Sequence, residues 1–257
     1  MNLKSKVLAA AAALTVLGGV ASAGALTATT ANAATPSCGA SCVNIYPQEF
    51  AGQSLKAPQN VLDVLRQGEK VGQPLILFRA SNSDPAEDFT YTNEGPASSF
   101  YTAGLLSSAL ALHYGCSGTI AIPGGQIPCS AGAVNDPAFE IQYSPFGVDS
   151  GLCVGLASTP TSGEGVSLQP CGVTAKTTWI QDTYPNDKSP SVAGFWAGIN
   201  GSGTNFSHPL VLTYPTGANP VDKPRVQLTV TNLAQFSNGP TFDDDAQLYT
   251  AFGGPLP

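Results

Sequence analysis

Short apolar stretches separated by turn-forming residues run through most of the chain. Stretches rich in Val, Leu, Ile, Phe and Tyr recur between clusters of Gly, Pro, Asn and Asp, a pattern typical of many short β-strands. Helical spacing of apolar residues is limited to residues 60–66 and 103–114, and Gly68 would end the first of these early. The sequence therefore predicts an all-β fold, with residues 60–66 as a strand.

One arrangement of elements recurs along the chain. Residues 150–180 read as a strand, a Gly-rich turn, a second strand and a final aromatic strand, and the same order begins again near residues 60 and 207. A fourth, weaker copy spans residues 110–143. One such unit cannot bury its apolar face alone, whereas three around an axis close a barrel without an open sheet edge. We therefore expect a barrel of three, or four, repeats, and the aromatic residues of the three clearer copies are Phe89, Trp179 and Tyr249.

The repeats resemble those of the ricin-type β-trefoil lectins, which combine a Cys-Leu-Asp entry strand, an internal disulfide and a Gln-x-Trp ending. Residues 152–154 and Cys171 match the cysteine pair, residues 62–64 keep Leu-Asp-Val, and residues 247–249 keep a Gln-x-aromatic ending. Every copy lacks part of the pattern, and Thr177 stands where the family has Gln. The resemblance covers residues 60–252 and implies a β-trefoil fold, a Cys153–Cys171 disulfide and lectin-like carbohydrate binding.

The resemblance also implies which residues would bind a sugar. In the resembled lectins an entry-strand Asp binds a sugar diol, an aromatic ring stacks on the apolar sugar face, and an Asn or Gln completes the site. The residues that match these roles are, in the same order, Asp63, Phe78 or Tyr91, and Asn82 or Asp88. The alternative reading of Asp63 is a solvated charge at a strand end, beside Arg66. The other two copies carry Gly155 and Thr213 at the Asp63 position, so we expect at most one such site.

The first 33 residues have the layout of a secretory signal peptide. Lys4 and Lys6 precede an apolar run of about 15 residues, which is short for a membrane span, and small residues follow, with cleavage favoured after Ala33 over Ala23. We therefore expect a secreted protein without a membrane span, formed by one domain of residues 34–257. An insertion around residues 102–136 separates the first two repeats.

The six cysteines all follow the predicted leader. An even number of cysteines in an oxidising compartment favours disulfides, of which six cysteines allow 15 pairings. Because no C-x-x-C occurs and no His lies at ligand spacing, we expect neither a zinc site nor any other metal or cofactor. Proximity along the chain favours the pairs Cys38–Cys42, Cys116–Cys129 and Cys153–Cys171.

The charge balance limits the classes of partner. The chain has 10 Lys and Arg against 17 Asp and Glu, a net charge of −7, and removal of the two leader lysines leaves 8 against 17, or −9. A nucleic-acid or anionic-membrane partner would require a basic patch, so both are disfavoured. The expected partners are glycans or a cell-surface protein, and the oligomeric state stays open.

Little in the sequence suggests catalysis. The two histidines, His113 and His208, read as strand and turn residues, and no G-x-S-x-G motif occurs. Residues 243–245 are all Asp but lack the spacing of a calcium loop, and both tryptophans, Trp179 and Trp196, are expected in the core. The sequence thus predicts a secreted, non-catalytic carbohydrate-binding protein. The alternative is a secreted protein-binding or cell-surface protein on a trefoil scaffold that has lost its sugar sites.

Overall fold

Twelve of the fifteen β-strands described by the computed structural model form three copies of a four-stranded repeat. The described residues are 42–47, 60–81, 83–106, 119–122, 125–128, 137–172, 174–183, 192–199, 210–214, 227–233 and 246–253. Repeat 1 contains β1 (Val43–Pro47), β2 (Asn60–Val64), β3 (Leu75–Arg79) and β4 (Phe89–Pro96). Repeat 2 contains β7 (Pro137–Tyr143), β8 (Leu152–Gly155), β10 (Ser167–Pro170) and β11 (Thr178–Thr183). Repeat 3 contains β12 (Val192–Ala197), β13 (Leu210–Thr213), β14 (Thr229–Asn232) and β15 (Tyr249–Gly253).

The remaining elements are short. A separate two-stranded sheet pairs β5 (Thr119–Ile122) with β6 (Gly125–Pro128), and β9 (Glu164–Gly165) pairs with β14. One α-helix, α1 (Ala97–Thr102), follows β4. Single 3-10 turns occupy Leu65–Gln67, Pro85–Glu87 and Pro145–Gly147. No helix within the described residues is long and apolar enough to cross a membrane.

The first and fourth strands of the repeats form the wall of a nearly closed antiparallel barrel. The fourth strand of each repeat pairs with the first strand of the next, as β4 with β7, β11 with β12, and β15 with β1. The register is the same at all three junctions, because the first aromatic residue of each fourth strand faces the last residue of a first strand. These pairs are Phe89 with Tyr143, Trp179 with Ala197, and Tyr249 with Pro47.

The second and third strands of each repeat form hairpins that meet around the three-fold axis. Leu75 donates its backbone N–H to the Val166 carbonyl at 3.1 Å, Val166 to the Leu228 carbonyl at 2.8 Å, and Leu228 to the Leu75 carbonyl at 2.8 Å. The ring closes on itself, so each repeat occupies an equivalent place. Together with the barrel register, this ring establishes a β-trefoil fold and confirms the all-β prediction.

The core lies inside this barrel. The aromatic residues that begin the fourth strands, Phe89, Trp179 and Tyr249, are fully buried. The indole N–H of Trp179 donates to the Val154 carbonyl at 2.9 Å, so its polar atom is satisfied in the apolar interior. Trp196 is equally buried in a second apolar cluster, where its N–H donates to Asp182 Oδ2 at 3.2 Å. The prediction that both tryptophans belong to the core is confirmed.

One predicted disulfide lies within the described residues. Cys153 and Cys171 are bonded across the β8–β10 hairpin, with Cα atoms 5.0 Å apart, which confirms the pairing expected for repeat 2. Cys42 is also in a disulfide. The other three cysteines, Cys38, Cys116 and Cys129, lie outside the described residues, as do the two histidines and residues 243–245.

The repeats differ from the predicted ones in where they begin and in their number. Each repeat begins one strand earlier than the sequence indicated, because β1, β7 and β12 are the first strands of repeats 1, 2 and 3. The segment read as a fourth copy is not a repeat in its described part. It contributes the β5–β6 hairpin, which lies in the predicted insertion, and then β7, which is the first strand of repeat 2.

Candidate functional site

Strand register identifies the residues of the three repeats that occupy equivalent positions. Each ring residue, Leu75, Val166 or Leu228, is followed by a residue that pairs with the second strand. These pairs place Asp63, Gly155 and Thr213 at one equivalent position, as Ile76–Asp63, Ser167–Gly155 and Thr229–Thr213. The equivalence inferred from the sequence is therefore correct, and only repeat 1 has a carboxylate there.

A cavity of about 210 Å³ lies at this position in repeat 1. The lining includes Asp63 from β2, Phe78 from β3, Arg66 and Gln67 from the following 3-10 turn, and Asp84 with Ala86 from the next one. The end of the β2–β3 hairpin and the turns beside it thus combine carboxylates, donor groups and an aromatic ring around one space. Asp63 and Phe78, two of the residues that the lectin resemblance named, both line the cavity.

The turn that forms one wall has an unusual backbone. Arg66 and Gln67 are consecutive non-glycine residues with left-handed φ values of 57° and 53°. Such conformations cost about 1 to 3 kcal/mol each and persist where the surroundings fix them. Here the Gln67 side chain donates to Asp84 Oδ1 at 2.8 Å, and Gln73 Nε2 donates to the Leu65 carbonyl. These bonds fix Arg66 and Gln67 at the cavity.

Three carboxyl groups, two of them from lining residues, meet at this wall of the cavity. Carboxyl oxygens of Asp63, Asp84 and Glu87 all lie within 4.8 Å of one another. Asp84 also caps the Pro85–Glu87 turn by accepting from the Ala86 N–H at 3.0 Å. Both oxygens of Glu87 accept from the Ser81 N–H at 2.9 Å. The path of the chain from residue 81 to residue 87 is therefore set by the acidic side chains themselves.

The carboxyl cluster is not fully ionised at neutral pH. Burial raises the pKa of Glu87 to about 9 and outweighs the Ser81 N–H, which favours the charged form, while the charges of Asp63, Asp84 and Asp88 raise this pKa further. Glu87 is therefore protonated at pH 7. Oxygen ligands of this type suit a hard cation, but protonation and the Ser81 bond withdraw Glu87 from such a ligand set.

The other sequence-based expectations for this site have different outcomes. Asp63 is 3% exposed, so its reading as a solvated charge is wrong. Asp88 is not part of the cavity lining, and its Oδ2 accepts from the Phe146 N–H at 2.8 Å. Tyr91 stacks on Phe139 in the barrel wall, with ring centroids 4.1 Å apart. Asn82 lies outside the described residues.

Four residues of this region were not predicted from the sequence: Arg66, Gln67, Asp84 and Glu87. A signal existed for the last two, because Asp84, Pro85 and Glu87 follow the pattern of a capped helical turn. No signal existed for the left-handed pair, since neither Arg nor Gln is typical of that conformation.

The same positions in repeat 2 are filled by the protein itself. A Cβ atom at Gly155 would lie 2.8 Å from the Lys176 carbonyl oxygen, so a longer side chain has no room there. The residue equivalent to Glu87, two positions before the aromatic, is Thr177. Its hydroxyl donates to the buried Glu140 carboxylate at 2.5 Å. Polar groups in repeat 2 therefore bond to one another.

The polar side chains of repeat 3 also bond to one another. The hydroxyls of Thr213 and Thr231 share a hydrogen bond of 2.7 Å across the hairpin. Gln247, at the position of Glu87, donates to Thr231 Oγ1 at 3.0 Å and to the Asn232 carbonyl at 2.9 Å. Neutral side chains of repeat 3 thus hydrogen-bond to one another at the positions where repeat 1 has carboxyl groups and a cavity.

Comparisons with known proteins add a likeness in structure. No protein-family profile matches the chain, and no curated protein matches it. Among solved structures, the chain is similar to ThreeFoil, a designed 3-fold symmetric protein, at 10% sequence identity and a TM-score of 0.43. The match covers 81% of this chain and 96% of the designed one.

Proposed function

We propose that the protein is a secreted, non-catalytic, lectin-like protein that binds one carbohydrate unit in the cavity of repeat 1. The observation that carries this proposal is the contrast between repeats. Asp63 and Phe78 line an open cavity, whereas Thr213 and its neighbours bond to one another and Gly155 has no side chain. The resemblance of the sequence repeats to ricin-type lectins supports the same position.

The lining has the chemistry that a sugar requires. Sugar hydroxyls donate to carboxylates and accept from N–H groups, while one face of the sugar ring is apolar. The cavity offers Asp63 and Asp84 as acceptors, the Arg66 guanidinium as a donor, and the Phe78 ring as an apolar surface. Its volume of about 210 Å³ is below the roughly 300 Å³ of pockets for drug-sized ligands, so it suits a single sugar unit.

The position of Glu87 supports binding without catalysis. Glycoside hydrolysis uses two carboxyl groups that flank the scissile bond, and the acid among them has a raised pKa. Glu87 has the raised pKa, but it is buried, is bonded to the Ser81 backbone and does not line the cavity. It is therefore not placed to protonate a glycosidic oxygen.

A glycan array with residues 34–257 tests the proposal, followed by calorimetry on the sugars that bind. Asp63→Asn keeps the side-chain shape and removes the charge. We expect the substitution to weaken binding about ten- to hundredfold, the effect of losing a hydrogen bond to a charged group. Glu94→Gln removes the same charge from an exposed position on β4 and serves as the control.

The second candidate is a protein-binding surface on a scaffold without a working sugar site. The hydrogen bonding within repeats 2 and 3 favours this candidate, since the positions equivalent to Asp63 in these two repeats carry no carboxylate. Absence of binding to any glycan at millimolar concentration would favour this candidate. Sugar binding that is equally strong in Asp63→Asn and in the unmodified protein would refute the cavity of repeat 1 as the binding site.

A further inference from the structure

An exposed aromatic residue stands at the tip of the loop between β7 and β8. Phe146 is 66% exposed, and Val148 in the same loop is 64% exposed. At this exposure neither side chain is buried in the core, and both belong to one short loop. The contacts of the loop show what holds the Phe146 backbone in place.

The loop is held by a buried charge. The Phe146 N–H donates to Asp88 Oδ2 at 2.8 Å, and the Ser144 N–H donates to the Asp88 carbonyl at 2.8 Å. Asp88 is only 3% exposed, so a buried carboxylate fixes the backbone of an exposed residue. Phe146 itself has a left-handed φ of 55°, a conformation that a bulky side chain seldom adopts. These hydrogen bonds thus hold the backbone that carries the ring.

This turn adjoins the cavity of repeat 1. Pro145–Gly147 packs against Pro85–Glu87, the turn whose Ala86 lines the cavity. Tyr143, at the start of the same loop, lies close to the acidic cluster. Burial raises the pKa of its hydroxyl, and the charges of nearby carboxylates that include Asp63 raise that pKa further. The Phe146 ring therefore stands on an element next to the cavity wall.

We propose that Phe146 is a second subsite, which packs against the sugar unit next to the one held in the cavity. The inference rests on the proposed function and refines it, because it makes the ligand an oligosaccharide rather than a monosaccharide. The apolar face of a pyranose ring matches an exposed aromatic ring. Because the Phe146 backbone is already held by Asp88, binding does not have to order the loop, and less free energy is lost on ordering.

The test compares sugars of increasing length. The probes are galactose, glucose, mannose and N-acetylglucosamine, each as the monosaccharide and as its di- and trisaccharides, titrated by calorimetry. For the unmodified protein we expect a disaccharide to bind up to about tenfold more tightly than its monosaccharide, as an aromatic contact of this kind provides. In Phe146→Ala this gain is lost, while monosaccharide affinity is retained because Phe146 is not part of the cavity lining.

Two further variants separate ring stacking from general apolar exposure. Phe146→Trp keeps an aromatic ring and is expected to keep the gain. Val148→Ala removes an apolar side chain of similar exposure from the same loop and is expected to leave it unchanged. An equal loss of the gain in Val148→Ala and Phe146→Ala would overturn the proposal. Sedimentation velocity showing a dimer that Phe146→Ala dissociates would also overturn it, in favour of a contact between copies.

Failure of this inference is distinguishable from failure of the proposed function. If monosaccharides bind and the gain with length is absent, or persists in Phe146→Ala, the second subsite is refuted and the cavity remains. If the unmodified protein binds none of the probes, the sugar-binding function and the subsite are both refuted.

Discussion

Glu87→Gln tests the electrostatics of the carboxyl cluster directly. Burial and neighbouring carboxylates raise the pKa of Glu87 from 4.5 to about 9 in the folded protein. The folded state therefore holds a proton that the unfolded state has released at any pH between these values. Stability falls as pH rises through this range, and it is greatest below the unfolded pKa. Glutamine resembles the protonated acid in shape and cannot ionise.

The expected effect is large enough to measure. Each pH unit between the two pKa values costs about 1.36 kcal/mol for one proton, so the unmodified protein loses about 2.7 kcal/mol from pH 6 to pH 8 through Glu87. In Glu87→Gln this part of the slope disappears. The Gln side-chain carbonyl still accepts from the Ser81 N–H, so the turn keeps its hydrogen bond. Urea unfolding at pH 6, 7 and 8, with the disulfides intact, measures the slope of each variant.

The control is Glu94→Gln, which removes one exposed carboxylate from β4. It is expected to follow the pH dependence of the unmodified protein closely. If Glu87→Gln and Glu94→Gln gave parallel curves, Glu87 would be ionised in the folded state at neutral pH, and the account of the cluster would be wrong.

Three further experiments test the fold. Val166→Pro removes one N–H from the three-fold ring and leaves a buried carbonyl without its partner, which is expected to cost about 1 to 3 kcal/mol of unfolding free energy by urea denaturation. Replacing both Cys153 and Cys171 with Ser opens a loop with a sequence separation of 18 and is expected to cost about 3 kcal/mol, seen as a lower melting temperature. Glu140→Gln is expected to melt above Glu140→Ala, because Gln still accepts from Thr177; equal melting temperatures would contradict the proposed network.

The hairpins could be predicted from the sequence because their signals are local. Asn60–Val64 and Leu75–Arg79 are apolar strands separated by a segment with Gly, Pro and polar residues, and the sequence of the other two hairpins follows the same arrangement. The first strands were harder to assign, because their partners are distant in sequence. Val43–Pro47 pairs with Tyr249–Gly253 near the other end of the chain. The sequence of residues 110–143 suggested a fourth copy, but local similarity carries no information about strand pairing.

The site was predictable where spacing within a hairpin decided it. Asp63 and Phe78, which the lectin pattern named, lie on paired strands of one hairpin and both line the cavity; their role in sugar binding stays a prediction. Asp88 and Glu87 are adjacent in sequence, and the pattern alone could not tell which carboxyl joins Asp63. The structure places Glu87 in the cluster and directs Asp88 to the Phe146 N–H instead. That choice depends on the path of the Pro85–Glu87 turn.

The three-fold arrangement provides an internal comparison for the energetics of the site. Three carboxyl groups in a buried cluster disfavour ionisation, as the raised pKa of Glu87 shows. The same scaffold also accommodates neutral alternatives at these positions, since Thr213, Thr231 and Gln247 satisfy one another in repeat 3. Carboxyl groups are therefore not required by the fold at this place. In repeat 1 the fold keeps the carboxyl cluster, the less stable arrangement, beside a cavity and a strained turn. This choice fits the proposal that stability is given up there for binding.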